Sequence, residues 1–403
     1  MKNKIKFSFR FKKNSYFLLL AAICIIIAIE SYFLIHSANS SYLKNQEDYC
    51  KTLSKSKKQQ CWQETIKNIV AKQGVDEGFK ALSFIYNKNP DFSSSCHGIT
   101  HDIGYSAYDL FRENKKVTIS KLTSSCNFGF YHGFMEKLMI HENNIKKARE
   151  FCHYVDSQLK HETTDAGFQC FHGIGHGMVN ADDNPAVWGD DVAITEPVLK
   201  LCEKVKENEE DLYRCVSGVF NGLANFYLSG EYGLKPHLNN PSQICDNQPD
   251  KYKEACYGNM NSVVLSTFKG DFVKAAEFEI NHISPKTFIP KSIEYLSEEW
   301  VGRNIESDDF KTPIEMCRKI PVDLKYNCLN GVEKGYFESG SKPEYEYVRS
   351  LSFCKTKELS SEEKDNCYKF LLGYIPHQYS DEKMQKICLS VDKEYQKYCI
   401  KVR

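Results

Sequence analysis

The stretch Cys215-Val-Ser-Gly-Val-Phe-Asn-Gly, residues 215–222, decides how this chain folds. Its Cys-x2-Gly-x3-Gly spacing recurs at Cys126, Cys170 and Cys328. Glycines four residues apart share one face of an α-helix, and in a helix interior each costs about 0.5–1 kcal/mol relative to alanine. A cost that recurs in this way indicates a packing reason, which the close approach of neighbouring helix backbones supplies. The pattern therefore predicts equivalent helices packed side by side.

The distance between the repeat cysteines sets the size of the repeating unit. From Cys126 to Cys170, Cys215 and Cys256 the interval is about forty residues, the length of a helix–turn–helix unit in repeat proteins. Apolar positions in segments such as 66–72 and 273–280 recur at helical spacing. In unit length and in its small packing residues the chain resembles tetratricopeptide and Sel1-like αα-repeats, although no signature motif of either matches. The resemblance implies an all-α solenoid of αα-hairpins, and an architecture alone does not assign a function.

The cysteines predict how these hairpins are held. Fourteen of the 17 cysteines form seven local pairs, Cys50/Cys61, Cys152/Cys170, Cys202/Cys215, Cys245/Cys256, Cys317/Cys328, Cys354/Cys367 and Cys388/Cys399. Cys96 and Cys126 can pair with each other, which leaves Cys24 in an apolar segment. We expect each pair to be a disulfide that clamps a helix–helix turn. Structural zinc and free thiols are the alternatives, but no Cys-x2-Cys motif occurs in the chain.

The N-terminal segment predicts the compartment. Residues 1–14 are rich in lysine and arginine, and residues 15–36 are mostly apolar, about the length that crosses a bilayer. Because basic flanks remain in the cytoplasm, we expect a cytoplasmic tail, a single-pass signal-anchor, a linker at 37–48 and an extracytoplasmic domain at 49–403. A cleaved signal peptide is the alternative interpretation. Both place the domain in a periplasmic, extracellular or lumenal space, where disulfides persist.

Charge excludes one class of partner. The chain has 53 basic and 53 acidic residues, a formal net charge of zero, and no basic stripe beyond the N-terminal flank. Nucleic-acid binding requires a positive surface. We therefore expect no nucleic-acid partner.

Histidine distinguishes the first repeats of the domain, at 96–183, from the plain repeats at 200–403. The sixth residue after the repeat cysteine is His132, then His176, and later Asn221 and Lys334. Histidines at i and i+4 lie on one helix face, a spacing that suits a shared metal ion. This spacing occurs at His97/His101 and at His172/His176.

If the helices of these repeats pack side by side, their histidines converge on one pocket. The predicted metal ligands are His97, His101, His132, His172 and His176. The predicted catalytic residues are His132, His176 and Glu136, and Tyr105 can border the site. Imidazole and carboxylate ligands suit iron, copper or zinc, and spacing does not choose among them. An acid–base pocket without metal uses the same residues, and any single histidine can serve only packing.

Two functions from different classes follow. The first is a membrane-anchored, extracytoplasmic, metal-dependent enzyme that acts on a small molecule or a peptide, with oxidation slightly favoured over hydrolysis. The second is a solenoid scaffold that binds a partner protein on its helical face, with structural histidines and no catalysis. Motifs of common serine hydrolases, P-loop nucleotide-binding proteins and zinc metalloproteases are absent from the sequence.

Overall fold

The computed structural model describes residues 41–89, 92, 95–113, 115–180, 185–305, 309–339 and 344–399. The predicted cytoplasmic tail at 1–14, the predicted signal-anchor at 15–36 and Cys24 lie outside these residues. Within them, no helix combines the length and the apolar character needed to cross a membrane. The chain divides into two compact units, residues 1–65 and 66–403.

Helices are the regular elements throughout the described residues, and no strand occurs there. This confirms the all-α prediction. A helical segment at 41–51 includes the described part of the predicted linker. The α-helices that follow are α1 (Lys55–Gln73), α2 (Val75–Lys88), α3 (Cys96–Arg112), α4 (Gly129–Glu142), α5 (Ile145–Leu159), α6 (Ala166–Asn180), α7 (Asp191–Val205), α8 (Glu209–Ser229), α9 (Gln243–Asp246), α10 (Asp250–Thr267), α11 (Phe272–His282), α12 (Ile289–Arg303), α13 (Lys311–Cys317), α14 (Lys325–Ser339), α15 (Tyr347–Lys355), α16 (Ser361–Tyr374) and α17 (Asp381–Leu389).

Six of the eight disulfides among the described residues join two successive helices. Cys202 near the end of α7 bonds Cys215 in α8, which clamps the short turn between them. All the predicted pairs are present, including Cys96 with Cys126, so the prediction of a disulfide framework is confirmed. The bridges are Cys50–Cys61, Cys96–Cys126, Cys152–Cys170, Cys202–Cys215, Cys245–Cys256, Cys317–Cys328, Cys354–Cys367 and Cys388–Cys399.

One row of helices carries the repeat glycines within the unit at 66–403. Helices α3, α4, α6, α8, α10, α12, α14 and α16 each pack against the next in that order. Helices α5, α7, α11, α13 and α15 pack onto members of this row. Helix α12 has no disulfide of its own and packs between α10 and α14. It occupies the long interval between Cys256 and Cys328 as one more repeat.

The repeat glycines lie where two helix backbones meet. A Cβ atom on Gly133 of α4 would stand 2.1 Å from the carbonyl oxygen of His101 on α3. A Cβ atom on Gly218 of α8 would stand 1.9 Å from the carbonyl oxygen of His172 on α6. Both distances are far below van der Waals contact, so only glycine allows this approach. The contacts place His101 beside α4 and His172 beside α8, which positions the histidine repeats.

The C-terminal part of this unit contacts the histidine repeats again. The hydroxyl group of Thr163 donates to the carbonyl oxygen of His377 at 2.9 Å, just before α6. The amide of Gln378 donates to a carboxylate oxygen of Asp165 at 2.5 Å. The ammonium group of Lys121 lies 4.3 Å from the ring centre of Tyr379. The end of α16 and the segment after it therefore lie next to the start of α6.

Candidate metal centre

Three histidine nitrogens converge where α3 meets α4. Nε2 of His101 lies 3.2 Å from Nε2 of His97 and 3.3 Å from Nδ1 of His132. One ligand atom from each of the three residues lies within 4.8 Å of the others. Ligands at 2.0–2.1 Å from a tetrahedral ion stand about 3.3–3.4 Å apart. The two distances from Nε2 of His101 are close to this spacing and also lie in the range of hydrogen bonds between imidazoles, and the third pair lies within 4.8 Å.

A hydrogen bond fixes which nitrogen of His97 faces this point. Its Nδ1–H donates to the carbonyl oxygen of Cys126 at 2.9 Å, so Nε2 of the neutral ring carries a lone pair. The carbonyl belongs to a strained turn, because Cys126, Asn127 and Phe128 have positive φ angles of 56°, 55° and 58°. Such strain concentrates at functional sites. The Cys96–Cys126 disulfide ties the turn to the start of α3.

The opposite side of His101 faces a carboxylate. Nδ1 of His101 lies 4.0 Å from Oε2 of Glu136, which accepts a 2.6 Å hydrogen bond from the hydroxyl group of Tyr105. At 4.0 Å, Glu136 is near His101 without a hydrogen bond to it; a carboxylate that accepts a hydrogen bond from a metal-binding imidazole orients the ring and raises its basicity. Glu136 therefore stands behind His101 and away from the three converging nitrogens.

His172 and His176 complete a cluster of five imidazole rings without joining the group of three nitrogens. The ring of His132 stacks on His172 with centroids 4.7 Å apart and on His176 at 5.7 Å. The ring of His176 also lies 5.8 Å from that of His101. The amide of Asn225 on α8 donates to Nε2 of His176 at 3.5 Å. Helix α6 thus forms the side of the site opposite α3.

Burial keeps all five rings neutral at neutral pH. Removal from water lowers the pKa of His97 and, with the neighbouring imidazoles, holds those of His101, His132 and His172 well below the ordinary value. Burial lowers the pKa of His176 to about 4. Metal ions bind neutral imidazole. The protonation states therefore suit a metal centre.

One ring nitrogen in the cluster lacks a partner. Nε2 of His132 is buried and forms no hydrogen bond with any described residue, and the residue as a whole is only 6% exposed. An unsatisfied buried polar atom costs about 1–3 kcal/mol. A water molecule or another hydrogen-bond partner at this position would remove that cost; this nitrogen is on the other side of the ring from Nδ1, which faces His101.

The five predicted histidines lie together, although three of them form the compact donor set and two pack beside it. The predicted catalytic pair His132 and His176 stacks ring on ring, and Glu136 stands at His101 Nδ1. Sequence reasoning missed the carbonyl of Cys126 and the amide of Asn225. Asn225 could have been found from its position four residues after Asn221 on the same helix face. No sequence signal marks the carbonyl, because every residue has one.

Comparisons of this chain with protein-family models, with curated proteins and with solved structures find no match. Kinship to a known protein therefore assigns no activity. The chemistry of the histidine cluster is the basis on which a function is assigned.

Proposed function

We propose that the protein is a membrane-anchored, extracytoplasmic, metal-dependent enzyme that acts on a small molecule or a peptide. Its transition-metal ion binds His97, His101 and His132, inside a solenoid of αα-hairpins of tetratricopeptide or Sel1-like architecture. The observation that carries the proposal is the convergence of three neutral imidazole nitrogens at 3.2 and 3.3 Å. These spacings match tetrahedral coordination.

The donor set supports iron(II), copper(II) or zinc. Three imidazoles leave at least one coordination position for water or substrate, as catalytic sites require. A bound ion of this kind supplies Lewis-acid chemistry, and iron or copper adds electron transfer. We favour oxidation over hydrolysis because sites of histidine and carboxylate ligands with an open position often bind iron or copper.

The remaining cluster residues have distinct roles in this proposal. Glu136 orients His101 through Nδ1 and is itself held by Tyr105. The ring of His176 lies beside both His101 and His132, where neutral imidazole can accept a proton from substrate. His172 stacks on His132 and fixes the plane of that ring.

The disulfides support the proposal that the domain lies outside the cytoplasm. Eight bridges join the described cysteines, and such bridges persist in oxidising spaces and are rare in the cytosol. The basic and apolar N-terminal sequence agrees with an anchored protein whose domain faces outward.

Elemental analysis of the full chain, purified in detergent without chelator, tests the proposal. We expect about one transition-metal ion per chain, and a loss of at least tenfold in His101→Ala and His132→Ala, since second-sphere changes alone cost this much. His176→Ala should keep most of the metal. The matched control is His153→Ala, because His153 is half exposed and bonds Glu207 at 3.1 Å, away from the cluster.

The decisive result is the wild-type protein. If it contains no stoichiometric metal and takes up no iron, copper or zinc on addition, the enzyme proposal is wrong. Equal metal content in His132→Ala and His153→Ala would mean that the metal binds at another site. That result would also refute the proposed metal centre.

A further inference from the structure

A second feature of the unit at 66–403 is a cavity of about 340 Å³ beside the histidine cluster. Its walls come from the glycine-bearing row of helices together with the start of α6. The lining residues are Asp165, Gln169, Glu210, Tyr213, Arg214, Glu254, Lys291, Glu294, Tyr295, Lys334, Glu338, Phe370 and Tyr374. A volume of this size falls in the range of small-molecule sites.

The basic side chains of the wall already have partners. Nε of Arg214 donates to Glu210 at 2.7 Å, and Nζ of Lys291 donates to Glu294 at 2.6 Å. Nζ of Lys334 donates to Glu298 at 2.8 Å and lies 3.5 Å from Glu338. Each cation is therefore balanced within the protein and does not call for an anionic ligand.

The carboxyl groups outnumber these cations. The lining contains five carboxyl groups and three basic groups. Arg214 interacts with both Glu210 and Asp165, Lys334 is shared by Glu298 and Glu338, and Glu254 forms no ion pair with a described residue. Uncompensated negative charge away from water is costly. Burial accordingly raises the pKa of Asp165, and burial together with the charge of Glu338 raises that of Glu298.

Aromatic rings line the same space and already hold ammonium groups. Nζ of Lys291 and Nζ of Lys334 each lie 4.9 Å from the ring centre of Tyr295. The faces of aromatic rings attract ammonium groups, and their edges and carbons bury a hydrocarbon chain. Tyr213, Phe370 and Tyr374 extend this surface. The wall is thus suited to a compound with both an amine and a carbon skeleton.

The cavity and the proposed metal centre both include residues of helix α6. Gln169 lies one helical turn before His172, on the same face of α6. Glu338 accepts a hydrogen bond from the hydroxyl group of Tyr374 at 2.7 Å, and its charge acts on His97.

We propose that this cavity binds a small organic ammonium compound, with its amine on Asp165, Glu254 and Glu338 and its carbon chain on the tyrosines. The compound is the substrate, or the amine-bearing end of the substrate, of the site above, an assignment that rests on the proposed function. Binding itself requires only the cavity.

Calorimetry on the full chain with 1,4-diaminobutane tests the proposal. We expect measurable binding of the diamine, at least tenfold weaker binding of neutral 1,4-butanediol and none of succinate. Glu254→Gln and Glu338→Gln should each weaken diamine binding at least tenfold. Glu338→Gln removes a charge that pairs with Lys334, and this loss can impair folding. Glu254→Gln is therefore the decisive variant. The exposed Glu277→Gln, on α11, is the surface control and should bind as the wild type does.

Three outcomes overturn the inference: no binding of the diamine, equal binding of diamine and butanediol, or binding that Glu254→Gln and Glu277→Gln affect equally. Calcium binding in place of the diamine would assign the cavity to inorganic cations and also refute it. The His132→Ala variant separates the two proposals, since it should lose metal and retain diamine binding. Metal without diamine binding refutes only the cavity assignment, and diamine binding without metal refutes only the proposed metal enzyme.

Discussion

The histidine repeats and the plain repeats have the same packing and different interior chemistry. Gly218, packed against His172, and Gly331, packed against Glu294, would each place a Cβ atom 1.9 Å from a carbonyl oxygen of the neighbouring helix. At the sixth position after the repeat cysteine, however, the first repeats place His132 in an imidazole cluster, whereas a later repeat places Lys334 between two carboxylates. Backbone packing and chemistry are therefore specified by different residues of the same repeat.

The largest expected effect tests whether both regions depend on the same backbone contact. Gly133→Ala and Gly331→Ala should each lower the free energy of unfolding by more than about 3 kcal/mol, because backbone atoms cannot rotate away from the added methyl group. Gly373 in α16 has open space around it, so Gly373→Ala should raise stability by about 0.5–1 kcal/mol. Chemical denaturation measures all three.

Metal content sharpens this comparison further. Gly133→Ala moves the backbone of His101 and should also release metal, whereas Gly331→Ala should retain it in the folded fraction. Similar stability in all three glycine variants would show that the repeats do not pack through these positions.

The sequence predicted the repeated elements well because their signals are local. Cysteine spacing and the four-residue glycine interval lie within a few helical turns, so the pairing of Cys202 with Cys215 and the contact made by Gly218 could both be expected. Gathering the five histidines required only that neighbouring helices lie in register. Which nitrogen of His97 faces the cluster depends on its hydrogen bond to the carbonyl of Cys126. That carbonyl is oriented by a turn with positive φ angles, and the turn contains no glycine that would have revealed it in the sequence. The hydrogen bond from Gln378 to Asp165 links residues that are 213 positions apart in the sequence, so no local pattern could predict it.

Removing a disulfide should affect stability in both the histidine repeats and the plain repeats, but metal content only in the histidine repeats. Replacing Cys354 and Cys367 by alanine opens a loop with a sequence separation of 13, and we expect a loss of about 3 kcal/mol. Replacing Cys96 and Cys126 opens a separation of 30, for which we expect about 3–4 kcal/mol. Only the second change should also release metal, because Cys126 holds His97. Metal loss on removal of Cys354–Cys367 would contradict this division, as would full metal content without Cys96–Cys126.

Buried titratable groups give the regions opposite responses to pH. Burial raises the pKa of Glu279 on α11 to about 8, against a weaker opposing effect of the Ser292 hydroxyl. A raised folded-state pKa contributes stability that is complete below the ordinary glutamate value and is lost as pH rises towards 8. Glu279→Gln should therefore raise stability at pH 9, by up to about 4–5 kcal/mol at about 1.4 kcal/mol for each unit of pKa shift, and change little at pH 4.

The histidine repeats have the reverse sign in the metal-free protein. Burial lowers the pKa of His176 from its ordinary value of 6.5 to about 4, so its contribution to stability is lost as pH falls from 6.5 towards 4. Between pH 6.5 and pH 4, the Glu279→Gln variant should therefore lose stability with falling pH just as the wild type does, as measured by chemical denaturation. If Glu279→Gln changed stability by the same amount at every pH, Glu279 would titrate normally and the assignment would be wrong.

The smallest expected effect concerns two carboxylates on α4, of which Glu142 also pairs with Lys147 and Glu136 lies near His101. Glu136 and Glu142 each accept a hydrogen bond from a tyrosine of α3, Tyr105 at 2.6 Å and Tyr108 at 3.3 Å. Only Glu136 also faces one of the proposed metal ligands, His101. Because such carboxylates typically contribute 10–100-fold to metal affinity, Glu136→Gln should weaken metal binding by about tenfold, about 1.4 kcal/mol. Glu142→Gln should leave metal affinity unchanged, and a competition titration with a coloured chelator compares the two. Equal affinities would mean that His101 is held by its helix alone, and the histidine repeats would then differ from the plain repeats only in their three donor rings.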